Sequence, residues 1–402
     1  MVFQIILNLL YIYSKMWIER TYSGKITDAV KTRPAILLTG VRQAGKSSLL
    51  QRLFKDADFV TLDKVLMAEE ATENPVKFLQ RFQNQVIIDE IQYAPSLFRE
   101  LKIRIDNERE LKGKWILTGS QQFQLMKGIS ESLAGRIRIM NLHTLSANEI
   151  WKAGILKENS DLLWKGGFPE IWAENLEAGD FFEDYVQTYL ERDLKQILNV
   201  SNLRDFRRFL MLLATRTGQL VNYTEISKEI GVSGNTIKAW VNSLEASGLI
   251  LLLPPYYRNL GKRLIKSPKL YFCDNGLVSS FLNIHSLPAL ENSLFLGSIW
   301  ENFVFTELIK AGFIPGKNLF FYRDQNGVEI DFVIEKEGTI CLVEAKYSER
   351  PRDEKLNLQK VAPLFKTNVN SMVACNVQER GLVNLRNYSL YNPLYGFDYD
   401  VM

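Results

Sequence analysis

The chain's 402 residues are too many for one small domain and set an expectation of about two to three. Apolar residues at 46% and charged residues at 24% exclude a disordered or fibrous chain and mark an ordinary globular protein. A net charge of +3 is too small to predict a nucleic-acid partner from charge alone, so any such case rests on local patches. Cys273, Cys341 and Cys375 are few, widely spaced and odd in number, which points to a reducing compartment and away from a disulfide framework or a structural zinc.

Residues 1–15 form an apolar extension. Its stretch from Met1 to Tyr13 is about a dozen residues, short of the roughly 20 needed to span a bilayer. No basic region precedes it and no small-residue cleavage site follows, so it reads as an over-extended start or a docking strand rather than a signal peptide. The expectation is a cytoplasmic protein without stable membrane insertion.

Ala35 to Thr39 reads as a buried strand, and Ser47 to Phe54, with Leu49, Leu50 and Leu53, as the first turns of a helix. Between them Gly40-Val-Arg-Gln-Ala-Gly45-Lys46-Ser47 matches G-x-x-x-x-G-K-[ST], the pattern of a phosphate-binding loop in its proper strand-loop-helix setting. The glycines permit backbone angles closed to other residues, so successive N–H groups converge on an anion at a helix N-terminus. Gly40, Arg42, Gln43, Ala44, Gly45, Lys46, Ser47 and Ser48 are therefore expected to hold ATP, with Lys46 at the β- and γ-phosphates and Ser47 on Mg²⁺.

Asp58 to Asp63 reads as a second strand, and Val86-Ile-Ile-Asp89-Glu90 as a third, apolar throughout and ending in two carboxylates. Asp89 is expected opposite Ser47 on the Mg²⁺, and Glu90 as acceptor of a hydrogen bond from the attacking water. The bland alternative is a solvated strand end. Trp115 to Ser120 is a further strand ending in hydroxyl residues, where Ser120 either senses the γ-phosphate or caps the next helix. Arg136, after Ser132-Leu-Ala-Gly, is either a charge-stabilising arginine, acting in cis or from a neighbouring subunit, or a surface arginine.

The runs GVRQAGKSSLL, VIIDEIQYAPSLF, LTGSQQF and SLAGR together resemble the prokaryotic AAA-family ATPases that carry an uncharacterised C-terminal domain. GGFPE, YLERDL and SPKLYFCDNGL, and the segment from Trp300, are similar to that family's later blocks, so the resemblance covers about residues 16–350. One departure is Leu142-His143-Thr144-Leu145-Ser146, where members of the family have a proline before the Leu-Ser.

Residues 16–144 are thus expected to form the ATPase core and 145–202 a helical lid. Phe181, Phe182, Tyr185 and Tyr189 fall at helical spacing, as packing residues rather than a nucleic-acid platform, and Arg192 lies in reach of a nucleotide or a partner, or in an ion-pair network. Residues 203–284 read as a winged helix-turn-helix: a helix with Phe209, Leu212 and Leu213, a short one from Thr224, a turn at Gly231, and a third helix opened by Ser233. On the third, Ile237, Val241 and Leu244 share an apolar face and leave Asn235, Lys238 and Asn242 outward. A hairpin from Leu249 to Phe272 follows, whose connection carries Arg258, Lys262, Arg263, Lys266 and Lys269 with no acidic residue. Helix and wing are the expected DNA contacts, against a packing and regulatory role.

In residues 285–402, Glu329 to Lys336 and Thr339 to Lys346 alternate around Glu337-Gly338. A two-residue loop there places Lys336 opposite Thr339, hence Asp331 opposite Glu344 and Glu329 opposite Lys346. Facing carboxylates repel unless something positive lies between them, and a divalent metal is the natural candidate. Glu301 precedes Val304, Phe305 and Leu308 on one apolar helical face, where an unpaired charge is expensive. Glu301, Asp331, Glu344 and Lys346 together resemble the signature of the PD-(D/E)XK nuclease fold, in a looser form without the proline. That resemblance implies metal ligation by the carboxylates, with a second Mg²⁺ or Mn²⁺, and positioning of the attacking water by Lys346. A fold that has lost activity or only binds, or a fortuitous ion-pair cluster, are the alternatives.

The chain is accordingly expected to be an α/β protein of three parts: a P-loop parallel sheet with helical lid, a winged helix-turn-helix, and a nuclease-like α/β domain. Its expected function is ATP hydrolysis coupled to action on DNA. The alternative is a slow signalling switch whose C-terminal parts bind protein partners, and oligomerisation is open to either.

Overall fold

The structure is a computed structural model that describes residues 16–119, 132–190, 203–257 and 266–396. The extension 1–15, Ser120, Arg192 and the basic residues Arg258, Lys262 and Arg263 lie outside the described residues. Among those described, no helix is long and apolar enough to cross a membrane. The chain divides into two compact units, one of Glu19–Thr144 with Ala246–Gly248, the other built from Leu145–Glu245 and the residues from Leu249 onward.

The first unit is a five-stranded sheet with helices around it. Its strands are β1 (Ala35–Thr39), β2 (Asp58–Thr61), β3 (Val86–Asp89), β4 (Trp115–Thr118) and β5 (Ile137–Asn141). They run in the order β2-β3-β4-β1-β5, and every pairing is parallel. β1, β3 and β4 are buried along their whole length, which is why they read as continuous apolar runs rather than alternating ones. Each Leu or Ile so enclosed stabilises the sheet by about 1.5–3 kcal/mol. The helix Leu97–Asn107 covers the sheet with Leu97, Phe98, Leu101 and Ile105, spaced to fall on one face. Because all strands are parallel, Thr39, Asp89, Thr118 and Asn141 end at one edge, and the functional side chains gather there.

Gly40 shows how tightly that edge is built. Leu142 N–H donates to Thr39 O at 2.8 Å, drawing the end of β5 against β1. A Cβ on Gly40, whose φ is 145°, would stand 2.1 Å from Leu142 O.

In the second unit, residues from Ser146 to Tyr185 make four short helices. The first opens with a capping box in which Ser146 Oγ accepts from Glu149 N–H and the Glu149 carboxylate accepts from Ser146 N–H. Phe168, Phe181, Phe182 and Tyr185 are buried as one aromatic cluster, with ring centroids 5.0–6.1 Å apart. Asp274 Oδ2 accepts from Gly167 N–H at 2.9 Å, and Ser279 Oγ donates to Leu163 O at 3.3 Å. These bonds tie the segment read as a lid to the helix Asn275–Phe281 within its own unit.

Three helices follow, Leu203–Thr215, Tyr223–Ile230 and Gly234–Ala246, then an antiparallel pair, β6 (Ile250–Leu253) and β7 (Lys269–Phe272). Gly231 closes the second helix in the left-handed region, with φ 85°. The helix Leu296–Ala311 is buried over most of its circumference and lies against a six-stranded sheet. That sheet holds β8 (Leu319–Arg323), β9 (Glu329–Lys336), β10 (Thr339–Lys346), β11 (Val369–Cys375), β12 (Val383–Asn384) and β13 (Ser389–Tyr391). Its order is β12-β13-β11-β10-β9-β8, mixed because β10, β11 and β13 are parallel and the remaining pairs antiparallel. Trp300 Nε1 donates to Ala374 O at 3.0 Å and so fixes the helix across the sheet.

Two glycine substitutions separate steric need from helix propensity. Gly40→Ala is expected to lower the stability of the first unit by on the order of 3 kcal/mol, since a backbone carbonyl cannot yield as a side chain can. Gly24→Ala, inside the helix Ser23–Thr32 with open space around it, is expected to raise stability by roughly 0.5–1 kcal/mol. Calorimetric melting that ranks the two the other way would refute the close approach of β1 to Leu142.

Candidate functional site

The turn after β1 carries Gln43 at φ 62° and Gly45 at φ 87°, so the chain reverses twice in the left-handed region before the helix Lys46–Leu53 begins. No side chain caps that helix, which leaves its first N–H groups to an anion. Lys46 is only 6% exposed, and its ammonium donates to Gly40 O at 3.2 Å and Val41 O at 3.0 Å. Burial lowers the lysine to about 8; Glu90 and Asp89 counter this in part, and Arg42 adds to it. An enclosed ammonium whose bonds go to carbonyls alone is chemically suited to a polyanion. Arg42 and Gln43 lie exposed on the loop and Ser48 on the first turn of the helix, and Ala44 is buried.

Ser47 Oγ donates to Asp89 Oδ1 at 2.6 Å. The two hard oxygen donors expected on Mg²⁺ are thus brought together from the helix and from β3, a donor set that fits this ion. Glu90 follows in the left-handed region at φ 56°, uncommon for a residue other than glycine and typical of strained functional positions. Its Oε2 accepts from Gln92 Nε2.

Thr118 was not singled out by the sequence reading. Its hydroxyl donates to Asp89 Oδ1 and accepts from Glu90 N–H at 3.3 Å, so one side chain at the end of β4 clamps both carboxylate residues. The available signal is a hydroxyl residue closing an otherwise apolar strand, one that Ser120 two positions on shares. Arg20 was also missed. It is buried and donates through Nη1 to Ala44 O at 2.9 Å and through Nη2 to His143 O at 2.5 Å, bracing the loop from behind. Nothing in its local sequence separates it from a surface arginine.

Arg136 is engaged elsewhere. Its Nε and Nη2 each hold an oxygen of Asp106 at 2.8 Å, a bidentate pair, and its hydrogen bonds keep the Asp106 carboxyl at about 2. A part in charge stabilisation would require that pair to break.

In the second unit, Glu337 and Gly338 have φ 48° and 82°, the signature of a type I′ turn, and the register runs from Thr339↔Lys336 to Val343↔Phe332. The recorded pairing ends there, and continuing the same register by one step sets Asp331 opposite Glu344. The positive charge between them, however, comes from lysines. Lys346 Nζ reaches Asp331 Oδ2 at 3.3 Å and Glu344 Oε2 at 3.0 Å. Lys269, read from sequence as part of the basic wing, is 1% exposed and turned inward: its Nζ meets Glu301 Oε1 at 2.9 Å, Glu329 Oε1 at 2.5 Å and Asp331 Oδ1 at 3.5 Å. The expected Glu329 and Lys346 pair is replaced, because Glu329 bonds Arg323 at 2.8 Å across β8 as well as Lys269.

Burial by itself would lower Lys269, but Glu301, Asp331 and Glu329 outweigh it and hold the ammonium well above the ordinary lysine value. Burial raises Glu301 and Glu344, while Asp331 is held below the usual range because Lys346, Lys269 and the Ala345 N–H overcome its desolvation. Among the described residues no group of three or more His, Cys, Asp or Glu is arranged to hold a metal. The positive charge that the nuclease resemblance assigned to a metal is supplied here by Lys269 and Lys346. On the helix Gly234–Ala246, Asn235, Lys238 and Asn242 are exposed, and Lys266 is exposed before β7.

Comparison with known proteins bears on the first unit most directly. The AAA domain family matches residues 32–151. Two families described as Domain of unknown function, DUF8612 and DUF4143, match residues 156–287 and 296–381. The uncharacterized protein Rv2008c of Mycobacterium tuberculosis is 31% identical over 347 residues, covering 84% of this chain and 76% of its own length. The uncharacterized protein MJ1544 of Methanocaldococcus jannaschii is 26% identical over 371 residues, 83% of this chain and 80% of its own. Among solved structures, the Walker-type ATPase PABY2304 of Pyrococcus abyssi is similar at a TM-score of 0.41 and 16% identity, over 66% of this chain and 96% of that one. The chain therefore belongs to the same family as Rv2008c, and its AAA domain makes it an ATP-binding AAA-type ATPase.

Proposed function

We propose that this ATPase couples hydrolysis of Mg-ATP to action on DNA. The observation that carries turnover is the single hydroxyl of Thr118 holding both Asp89 and Glu90 beside Ser47. Bound Mg²⁺ would supply a Lewis acid that neutralises developing phosphate charge. Lys46 binds the β- and γ-phosphates, Ser47 and Asp89 orient the ion, and Glu90 takes a proton from the water as its oxygen bonds the γ-phosphorus and the bond to the β-phosphate breaks.

The DNA part of the reading is supported by the three helices and strand pair of residues 203–272, taken as a winged helix-turn-helix. On its third helix, Ile237, Trp240, Val241 and Leu244 are buried while Asn235, Lys238 and Asn242 face solvent. The connection between β6 and β7 adds Arg258, Lys262, Arg263 and Lys266 in sequence. One observation favours a second reading, a slow regulatory switch with protein partners: the acidic cluster of the C-terminal sheet is neutralised by lysines rather than laid open.

Three measurements test these assignments. Glu90→Gln is expected to retain ATP binding and to lose phosphate release by roughly 10²-fold or more; hydrolysis equal to wild type refutes the base.

Lys46 makes a pH-dependent signature. Its folded value of about 8 lies below the unfolded 10.5, so between those values the unfolded chain binds more protons and the stability of the free protein rises with pH. Bound phosphates raise the lysine again, so ATP binding at about pH 9 should take up a proton that binding at about pH 7 does not. Titration calorimetry in two buffers of different ionisation enthalpy reads this directly, and no uptake at the higher pH excludes Lys46 as the phosphate contact.

For DNA, each phosphate contact removed from Lys238, Arg258, Lys262, Arg263 and Lys266 by alanine should flatten the salt dependence of binding by about one unit of slope. ATP turnover indifferent to DNA, together with unchanged DNA affinity in the fivefold variant, favours the switch.

A further inference from the structure

We propose that Lys269 is the resident counter-ion of the C-terminal acidic cluster and occupies the place of a divalent metal, so that the natural protein binds none between Glu301, Asp331 and Glu344. Most of the cluster's carboxylate oxygens are already engaged. Glu301 Oε1 accepts from Lys269 and from Tyr271 Oη at 2.6 Å. Glu329 gives one oxygen to Lys269 and the other to Arg323. Asp331 Oδ1 faces Lys269, and Oδ2 accepts from Ala345 N–H at 2.9 Å and from Lys346. Glu344 Oε1 accepts from Asn357 N–H at 2.5 Å, and Oε2 lies against Lys346. A metal needs lone pairs aimed at one point, and here they are aimed at two ammonium groups, a guanidinium, a tyrosine hydroxyl and backbone N–H groups.

Lys269 is anchored by its backbone and enclosed along its side chain. Its backbone is the first residue of β7, paired with Leu253 in β6 and bridged to Leu220 on the other side. The next residue is fixed twice, since Leu270 N–H donates to Gln219 O at 3.0 Å and its carbonyl accepts from Gly218 N–H at 2.8 Å. Two residues on, Phe272 N–H donates to Asn302 Oδ1 at 2.8 Å, on the helix that bears Glu301. The same strand therefore delivers the ammonium and the Tyr271 hydroxyl to Glu301, while Tyr271 stacks on Phe305 at a centroid distance of 4.1 Å. A dication placed among these carboxylates would meet a fixed ammonium already in contact with three of them, and like charges at contact distance in a dry site repel strongly. A consequence is that the residue ending the basic connection is also the clamp that seats β7 on the C-terminal domain.

The inference does not depend on the DNA reading, and its test uses the full chain without nucleotide. Bound Mn²⁺ is counted from the paramagnetic resonance signal of the free ion during titration. Wild type and Asp331→Asn are expected to bind the same number of ions, whereas Lys269→Met is expected to bind one more than wild type, a gain lost in Lys269→Met/Asp331→Asn. A wild type that binds one ion more than Asp331→Asn overturns the proposal. So does a folded Lys269→Met that gains none, because Lys269 would then be a plain ion pair and not an occupant of a metal's place. The wild-type comparison stands even if Lys269→Met does not fold, and Glu301→Gln replaces Asp331→Asn if that variant fails.

Discussion

An ammonium group taken out of water must be surrounded by oxygen, and the kind of oxygen decides what the group can then do. This chain buries two such lysines in opposite settings. Lys46 is enclosed with two backbone carbonyls, so its charge is only partly compensated and its proton affinity falls. Lys269 is enclosed with three carboxylates, so its charge is fully compensated and its proton affinity rises. The first is poised to receive an anionic ligand. The second already has its anions, and they are part of the fold.

In the AAA core the sheet order turns this local chemistry into a site. β4 lies between β3 and β1, and for that reason a threonine at its end can touch Asp89 and Glu90 together. Ser47 reaches the same aspartate from the helix that follows β1. Behind the loop, Arg20 holds the Ala44 carbonyl and the close contact of Gly40 with Leu142 prevents the turn from relaxing outward. A loop braced in this way needs little reordering when a ligand arrives, which lowers the cost of binding.

The second unit reaches rigidity by another route. Its polar interior consists of side chains that satisfy one another across elements distant in sequence: Asp274 with the Gly167 backbone, Asn302 with Phe272 N–H and the Asn275 side chain, and Lys269 with the carboxylates of β9 and of the helix Leu296–Ala311. Buried networks of this kind specify one arrangement because a shifted register leaves several charges unpaired at once.

Much of this was determined by the sequence alone, where the physics is local. The phosphate loop, the two carboxylates closing β3 and the Glu337-Gly338 turn with its register are each set by a few neighbouring residues whose backbone angles and periodicity admit little choice. The apolar face of the helix Gly234–Ala246 was legible for the same reason. What only the tertiary structure decided concerns partners far apart in the chain. Thr118 acquires its part from strand order, Arg136 is claimed by Asp106 thirty residues away, and Lys269 leaves the basic run it belongs to in sequence because β7 faces the helix of Glu301. A charge reads from sequence as exposed by default, since desolvation without a partner is so unfavourable; only the fold reveals that the partner is there.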